Sequence, residues 1–140
     1  MSEAEHTAEV RRWLRYAQED LIAAESLIVL QTIASRHVCW LAQQAVEKAL
    51  KAVLVFLQID FPRRHDLDAL RKLIPAGWPL KEEHPDLADL TEWAVEAGYP
   101  GDWPDATEED ARSAVQQARA VGQSVCRDLA SHGFTIEDVI

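Results

Sequence analysis

All six prolines of this 140-residue chain fall between Pro62 and Pro104, so residues 1–61 and 105–140 contain none. Proline fixes its own φ and lacks a backbone donor, which breaks helices and interrupts sheet ladders. Two unbroken end segments around a proline-rich middle therefore suit long helices joined by short elements. Apolar spacing agrees. From Glu3 to about Leu30, Val10, Trp13, Leu14, Ala17, Leu21, Ala24 and Ile28 recur at the helical period. A second helix is expected from Ser35 to Leu57, with Val38, Ala42, Ala45, Val46, Ala49, Val53 and Phe56 on one face.

In the middle, His65 or Asp66 opens a short helix that runs through Leu73 and stops before Pro75 and Gly77. Pro85 to Ala97 supplies another, and GYPGDWPD is a turn-rich connector. Thr107 with Asp110 has the spacing of a capping box. Behind it, Ala111, Ala114, Val115, Ala118, Val121, Val125 and Leu129 keep a clean stripe up to a stop at Gly133. There is no strand alternation and no repeat. The expectation is a single domain over residues 1–140, all-α, an up-and-down bundle of four to five helices, two of them long.

Apolar residues make up 48% of the chain, five of them Trp, which excludes a disordered polymer. The longest apolar run, Ala52 to Leu57, is too short to span a bilayer. The first residues, MSEAEHTAEV, are polar and acidic, unlike a signal peptide. Cys39 and Cys126 sit in apolar helical surroundings, as reduced buried thiols do. A soluble cytoplasmic protein is expected, with no membrane partner.

The net charge of −10 is unevenly placed. Residues 1–75 hold ten basic and ten acidic side chains, while residues 76–140 hold four and fourteen. The second half therefore carries the whole excess and repels a polyanion. A phosphate contact belongs in the neutral first half, and DNA is not an expected partner.

That neutral half contains WLAQQAVEKALKAVLVFL, Trp40 to Leu57. Opposite its apolar face, Gln43, Gln44, Glu47, Lys48 and Lys51 fill an arc of about 140°. Gln44, Lys48 and Lys51 form an amide-and-ammonium stripe suited to an anion, or else a solvated face with a Glu47–Lys51 pair. Arg63, Arg64 and His65 are the other candidate anion contacts. Asp20 lies beside the apolar stripe of the first helix and needs a partner, for which Lys48 is the first choice. Past Lys51 the arc becomes Leu54 and Val55. Such an end is covered by a second copy of the chain, making a homodimer, or by Ile59 and Phe61 folding back.

No Gly-rich phosphate loop, HExxH, CxxC pair or Ser-elbow is present, and the five His residues lack metal-ligand spacing. No metal and no cofactor are expected.

AQQAVEKALKAVL (Ala42 to Leu54) followed by RHDLDAL (Arg64 to Leu70) resembles the signature of the HEPN domain family, the higher eukaryotes and prokaryotes nucleotide-binding domain. WLRYAQEDLIAAESL, TEWAVEAGYP and ATEEDARSAVQQARAV resemble its first helix, its Tyr-Pro turn and its last helix, in the right order. The resemblance implies a helical bundle, usually dimeric, often found beside a minimal nucleotidyltransferase in toxin–antitoxin-type pairs. It also implies one of two functions. Members with an Arg-x(4–6)-His motif are metal-independent endoribonucleases, and members without it bind nucleotides or partners. The match to the motif here is RDLASH, Arg127 to His132. On a continuous helix these two residues point about 140° apart. Gly98 also replaces the Arg that commonly precedes Tyr-Pro. The expected function is thus a nucleotide-binding or partner-binding module, with an endoribonuclease using Arg127 and His132 as the alternative. RNA is then a possible ligand as well as a nucleotide.

Overall fold

Short polar signals set the helix ends. In the computed structural model, which describes residues 1–30, 33–63, 65–96 and 105–136 (the side chains of 95 and 96 excepted), Ser2 Oγ accepts from Glu5 N at 3.1 Å and starts α1 (Glu3–Leu27). Asp66 caps α3 (Leu67–Leu73) through Ala69 N. Thr107 and Asp110 form a reciprocal capping box at the start of α6 (Glu108–Ser131), with bonds of 3.1 and 2.9 Å. Between them lie α2 (Ser35–Phe56), the one-turn α4 (Leu80–Glu83) and α5 (Ala88–Glu96). No strand occurs among the described residues.

The class is all-helical, as its periodicity implies. Two details differ from the sequence expectation. Three helices are long, since α6 runs for 24 residues on its unbroken stripe. The extra helix α4 is made by tertiary contacts: Leu80 N donates to Asp128 Oδ2 at 2.8 Å, and Lys81 Nζ to the Ile74 carbonyl at 2.6 Å. Neither bond is visible in local sequence.

α2 is the axis of the bundle and packs against α1, α6, α5 and α3. Three contacts give the direction of α1. His6 meets the Val55 carbonyl, Trp13 meets Lys51, and Asp20 meets Lys48, so α1 and α2 are antiparallel. Arg119 pairs with Glu25 and Arg11 lies over Phe134, so α6 is antiparallel to α1 as well. Val10, Leu14, Leu21, Val38, Leu50, Val53, Leu54, Val121, Val125 and Leu129 form the shared core. Burial pushes the Cys39 thiol up to about 12, so it stays a protonated core group.

α6 closes with a Schellman motif. Gly133 has φ +90, its N–H bonds to the Ala130 carbonyl, and Phe134 N bonds to the Leu129 carbonyl. α2 closes in the same way without glycine. Gln58, at φ +58, bonds to the Val55 carbonyl, and Ile59 N to the Leu54 carbonyl. This turn folds Ile59 and Phe61 back onto the core, and Leu54 has no exposed surface. The chain's own fold thus covers Leu54 at the end of α2, while Val55, Phe56 and Leu57 stay partly exposed. Among the described residues no helix is long and apolar enough to cross a membrane.

A left-handed conformation costs an L-residue with a side chain roughly 1–2 kcal/mol. Replacing Gln58 by Gly should relieve about 1 kcal/mol of that strain. Urea unfolding of Gln58→Gly is expected to show a higher midpoint with an unchanged slope, and a lower midpoint would contradict this account of the turn.

Candidate functional site: the polar seam of α2

The arc of α2 that reads as polar in sequence is largely inside the molecule. Gln43 is 0%, Glu47 4% and Lys51 9% exposed. A buried charge is tolerated only when it is paired and hydrogen-bonded. Glu47 meets that demand with both oxygens. Its Oε1 accepts from Gln43 Nε2 at 3.1 Å and from His65 Nδ1 at 2.8 Å, and its Oε2 accepts from Lys51 Nζ at 3.0 Å. Burial raises the Glu47 pKa, but the bonds from His65, Gln43 and Lys51 outweigh it and hold the carboxyl below its ordinary 4.5.

The network extends in both directions. Gln43 Oε1 accepts from Gln44 Nε2 at 2.6 Å, and Gln43 Nε2 also reaches the His65 carbonyl at 3.3 Å. The ammonium of Lys51 sits 5.6 Å from the Trp13 ring centre and 5.4 Å from that of Phe61, which stand edge to face. Behind these rings opens a cavity of about 610 Å³, with His6, Glu9, Gln58 and Asp60 also on its wall. Lys48 Nζ bonds to Asp20 Oδ2 at 2.5 Å, with both side chains mostly buried.

The stripe Gln44, Lys48 and Lys51 is therefore engaged internally, each member with a protein partner. Both ammonium groups are matched by a carboxylate. His65 is different. Its side chain is 62% exposed while its Nδ1 is fixed on Glu47. Arg63 beside it is exposed and makes no ion pair among the described residues, whereas Arg64 lies outside them.

The Arg127 and His132 pair is engaged elsewhere. Arg127 donates from Nη1 to Glu83 Oε2 at 2.9 Å and from Nη2 to Glu83 Oε1 at 2.5 Å. Its Nε and Nη2 also donate to Asp128 Oδ1, at 3.0 and 2.9 Å. Asp128 is 1% exposed and anchors α4 with its other oxygen. The bonds it donates to Glu83 and Asp128 push the arginine further above its ordinary value, and the bond from Arg127 holds Glu83 low. His132 caps the end of α6, stacks on Trp78 with ring centres 3.9 Å apart, and has Nδ1 2.9 Å from the Asp128 carbonyl. Together these residues tie α4 to the end of α6. Gly98 and the Tyr-Pro turn lie outside the described residues.

Sequence spacing gives the Glu47–Lys51 pair but misses Glu47 as a hub. The signal was present: the same arc continues as Leu54 and Val55, which buries its upstream members. The Trp78 platform under His132 and the Glu83 clamp on Arg127 have no local signature.

The model of the HEPN domain family matches residues 10–129. The chain therefore belongs to the HEPN domain family. A crystal structure of TT1696 from Thermus thermophilus superposes with a TM-score of 0.70 at 24% identity, covering 86% of this chain and 98% of that one. At that identity the likeness is one of fold. Comparison with curated proteins gave no match.

A carboxylate whose pKa is lowered by folding stabilises the native state above its unfolded pKa, and that stabilisation is lost as pH falls through the folded value. Wild-type protein is thus expected to lose stability more steeply than Glu47→Gln, whose amide does not titrate, as pH falls below the ordinary carboxyl value of 4.5. Urea unfolding at several pH values checks this, and parallel curves for the two proteins would contradict it.

Proposed function

We propose that this HEPN chain is a nucleotide-binding or partner-binding module whose anion contact is the turn at Arg63 and His65, with the polar seam of α2 as its rigid support. The observation that carries this reading is the exposed His65 ring fixed on a buried, fully bonded Glu47. A ring held in one orientation loses little freedom on binding, which favours affinity. The charge map supports the same place. Residues 1–75 sum to zero, so a phosphate there meets less repulsion than among the carboxylates of residues 76–140.

Family resemblance suggests the wider setting: a minimal nucleotidyltransferase partner, a toxin–antitoxin-type pair and a homodimer. The dimer contact would include the partly exposed Val55 at the end of α2, and the exposed apolar residues Ile22, Val29, Leu30 and Trp40 are further candidates. The endoribonuclease reading through Arg127 and His132 draws less support. It requires Arg127 to leave Glu83 and Asp128 and His132 to leave its stack on Trp78.

Titration of the protein with adenine and guanine nucleotides, followed by backbone amide shifts, tests the reading. Shifts are expected at residues 63–66 and along Gln43 to Lys51, and Arg63→Ala is expected to weaken binding by roughly 1.5–3 kcal/mol, the range for a hydrogen bond to a charged group. Shifts confined to Arg127 and His132 would transfer the site to the end of α6. No shift at millimolar nucleotide would leave an assembly module without a nucleotide site.

A further inference from the structure

The turn that ends α2 also builds a cavity. Gln58 adopts φ +58, a conformation that glycine takes without strain, and only its backbone is needed to close the helix. Its side chain joins Asp60 and Phe61 on the wall of the cavity of about 610 Å³, to which α1 adds Glu9 and Trp13. The charged side chains on that wall are both carboxylates. Neither Glu9 nor Asp60 forms an ion pair among the described residues, and the Gln58 amide makes no hydrogen bond there. His6, also on the wall, is already engaged with the Val55 carbonyl at 2.7 Å.

The apolar part of the wall suits a cation too. Trp13 and Phe61 stand edge to face with ring centres 6.2 Å apart, and aromatic faces attract positive charge. The same two rings already hold one ammonium, that of Lys51, at 5.6 and 5.4 Å from their centres. Lys51 is matched by Glu47 at 3.0 Å, so its charge is not available to offset Glu9 and Asp60. A cavity of this volume holds a small organic molecule. Anions are repelled by its two carboxylates. A metal ion is poorly suited, because among the described residues no group of three His, Cys, Asp or Glu could hold one. What fits is a flexible molecule with a hydrocarbon stem between two ammonium groups.

We propose that this cavity is a binding site for an aliphatic polyamine. Its ammonium groups donate charge-assisted hydrogen bonds to Glu9 and Asp60. The methylene stem between them lies along Trp13 and Phe61, as the stems of long basic side chains lie on apolar surface. The Gln58 side-chain oxygen accepts from a further N–H, which gives a use to a side chain where glycine would be less strained. This site is separate from the anion contact at Arg63 and His65. It takes the opposite charge, and it neither requires nor excludes that contact.

The test titrates the full chain with spermidine, followed by calorimetry and by backbone and indole N–H shifts. Saturable binding is expected, with shifts at the Trp13 indole N–H and at residues 58–61. An uncharged alkane diol of similar length should not bind, and magnesium ion should not reproduce the shifts. Glu9→Gln and Asp60→Asn alter a half-buried and an exposed side chain. Each should weaken binding about tenfold or more, as for the loss of one hydrogen bond to a charged group. Gln58→Gly should raise the urea midpoint yet weaken spermidine binding about threefold or more, a split that a purely structural side chain would not give. Absence of heat and shifts at millimolar spermidine would overturn the proposal. So would unchanged affinity in the Glu9→Gln/Asp60→Asn double variant, shifts confined to the carboxylates of residues 76–140, or equal shifts with magnesium. Unchanged affinity in Gln58→Gly would overturn the role given to its amide.

Discussion

Glu47 holds an ionised carboxylate, 4% exposed, at the centre of the most buried helix of the chain, and it does so by accepting from Gln43, Lys51 and His65. Everything along that edge depends on this group. Lys51 lies over Trp13 and Phe61 because Glu47 anchors its ammonium. The turn before α3 runs where it does partly because His65 is pinned to α2 by ring and carbonyl. Apolar residues of similar volume would often be as stable or more so, since desolvation offsets much of the attraction within a buried ion pair. Stability alone therefore gives no reason for this seam, whereas a fixed ring at the surface does.

The second polar cluster answers to the same physics at another place. Asp128, 1% exposed, serves Leu80 N with one oxygen and Arg127 with the other. It converts a four-residue helix, too short to form alone, into a fixed part of the structure. Arg127 closes the arrangement through Glu83, and His132 lies on Trp78. An Arg and a His at motif spacing are thus employed in holding α4 against α6. A motif read from sequence gives the residue types but not what else has claimed their hydrogen bonds.

The fold class was legible because helical periodicity and proline placement are local signals. The capping box at Thr107, the stop at Gly133 and the pairing of α1 with α2 all rest on short-range chemistry or on stripes that must meet. The stop of α2 at Leu57 was legible too, but its geometry was not, since Gln58 takes a conformation usually reserved for glycine. The site was only partly legible. Gln43, Glu47 and Lys51 read as part of a polar arc, either an anion-binding stripe or a solvated face, because helical spacing places residues around an axis without saying what covers them. Phe61 and His65, which cover this arc, come from beyond the helix, and their return depends on the turn at Gln58. For Lys48 and Asp20, by contrast, complementary charges on two helices that must pack together were enough.

The central claim is that Glu47 and Lys51 form one coupled unit within a buried network and are not two independent surface charges. A double-mutant cycle of Glu47→Gln and Lys51→Met, measured by urea unfolding at neutral pH, addresses it most directly. Each single change leaves the other charge buried and unmatched, while the double change removes both. The account predicts a coupling of at least about 1 kcal/mol, within the range found for residues sharing one network, with the double variant more stable than the sum of the single losses requires. Additive losses, with no coupling between the two positions, would contradict it.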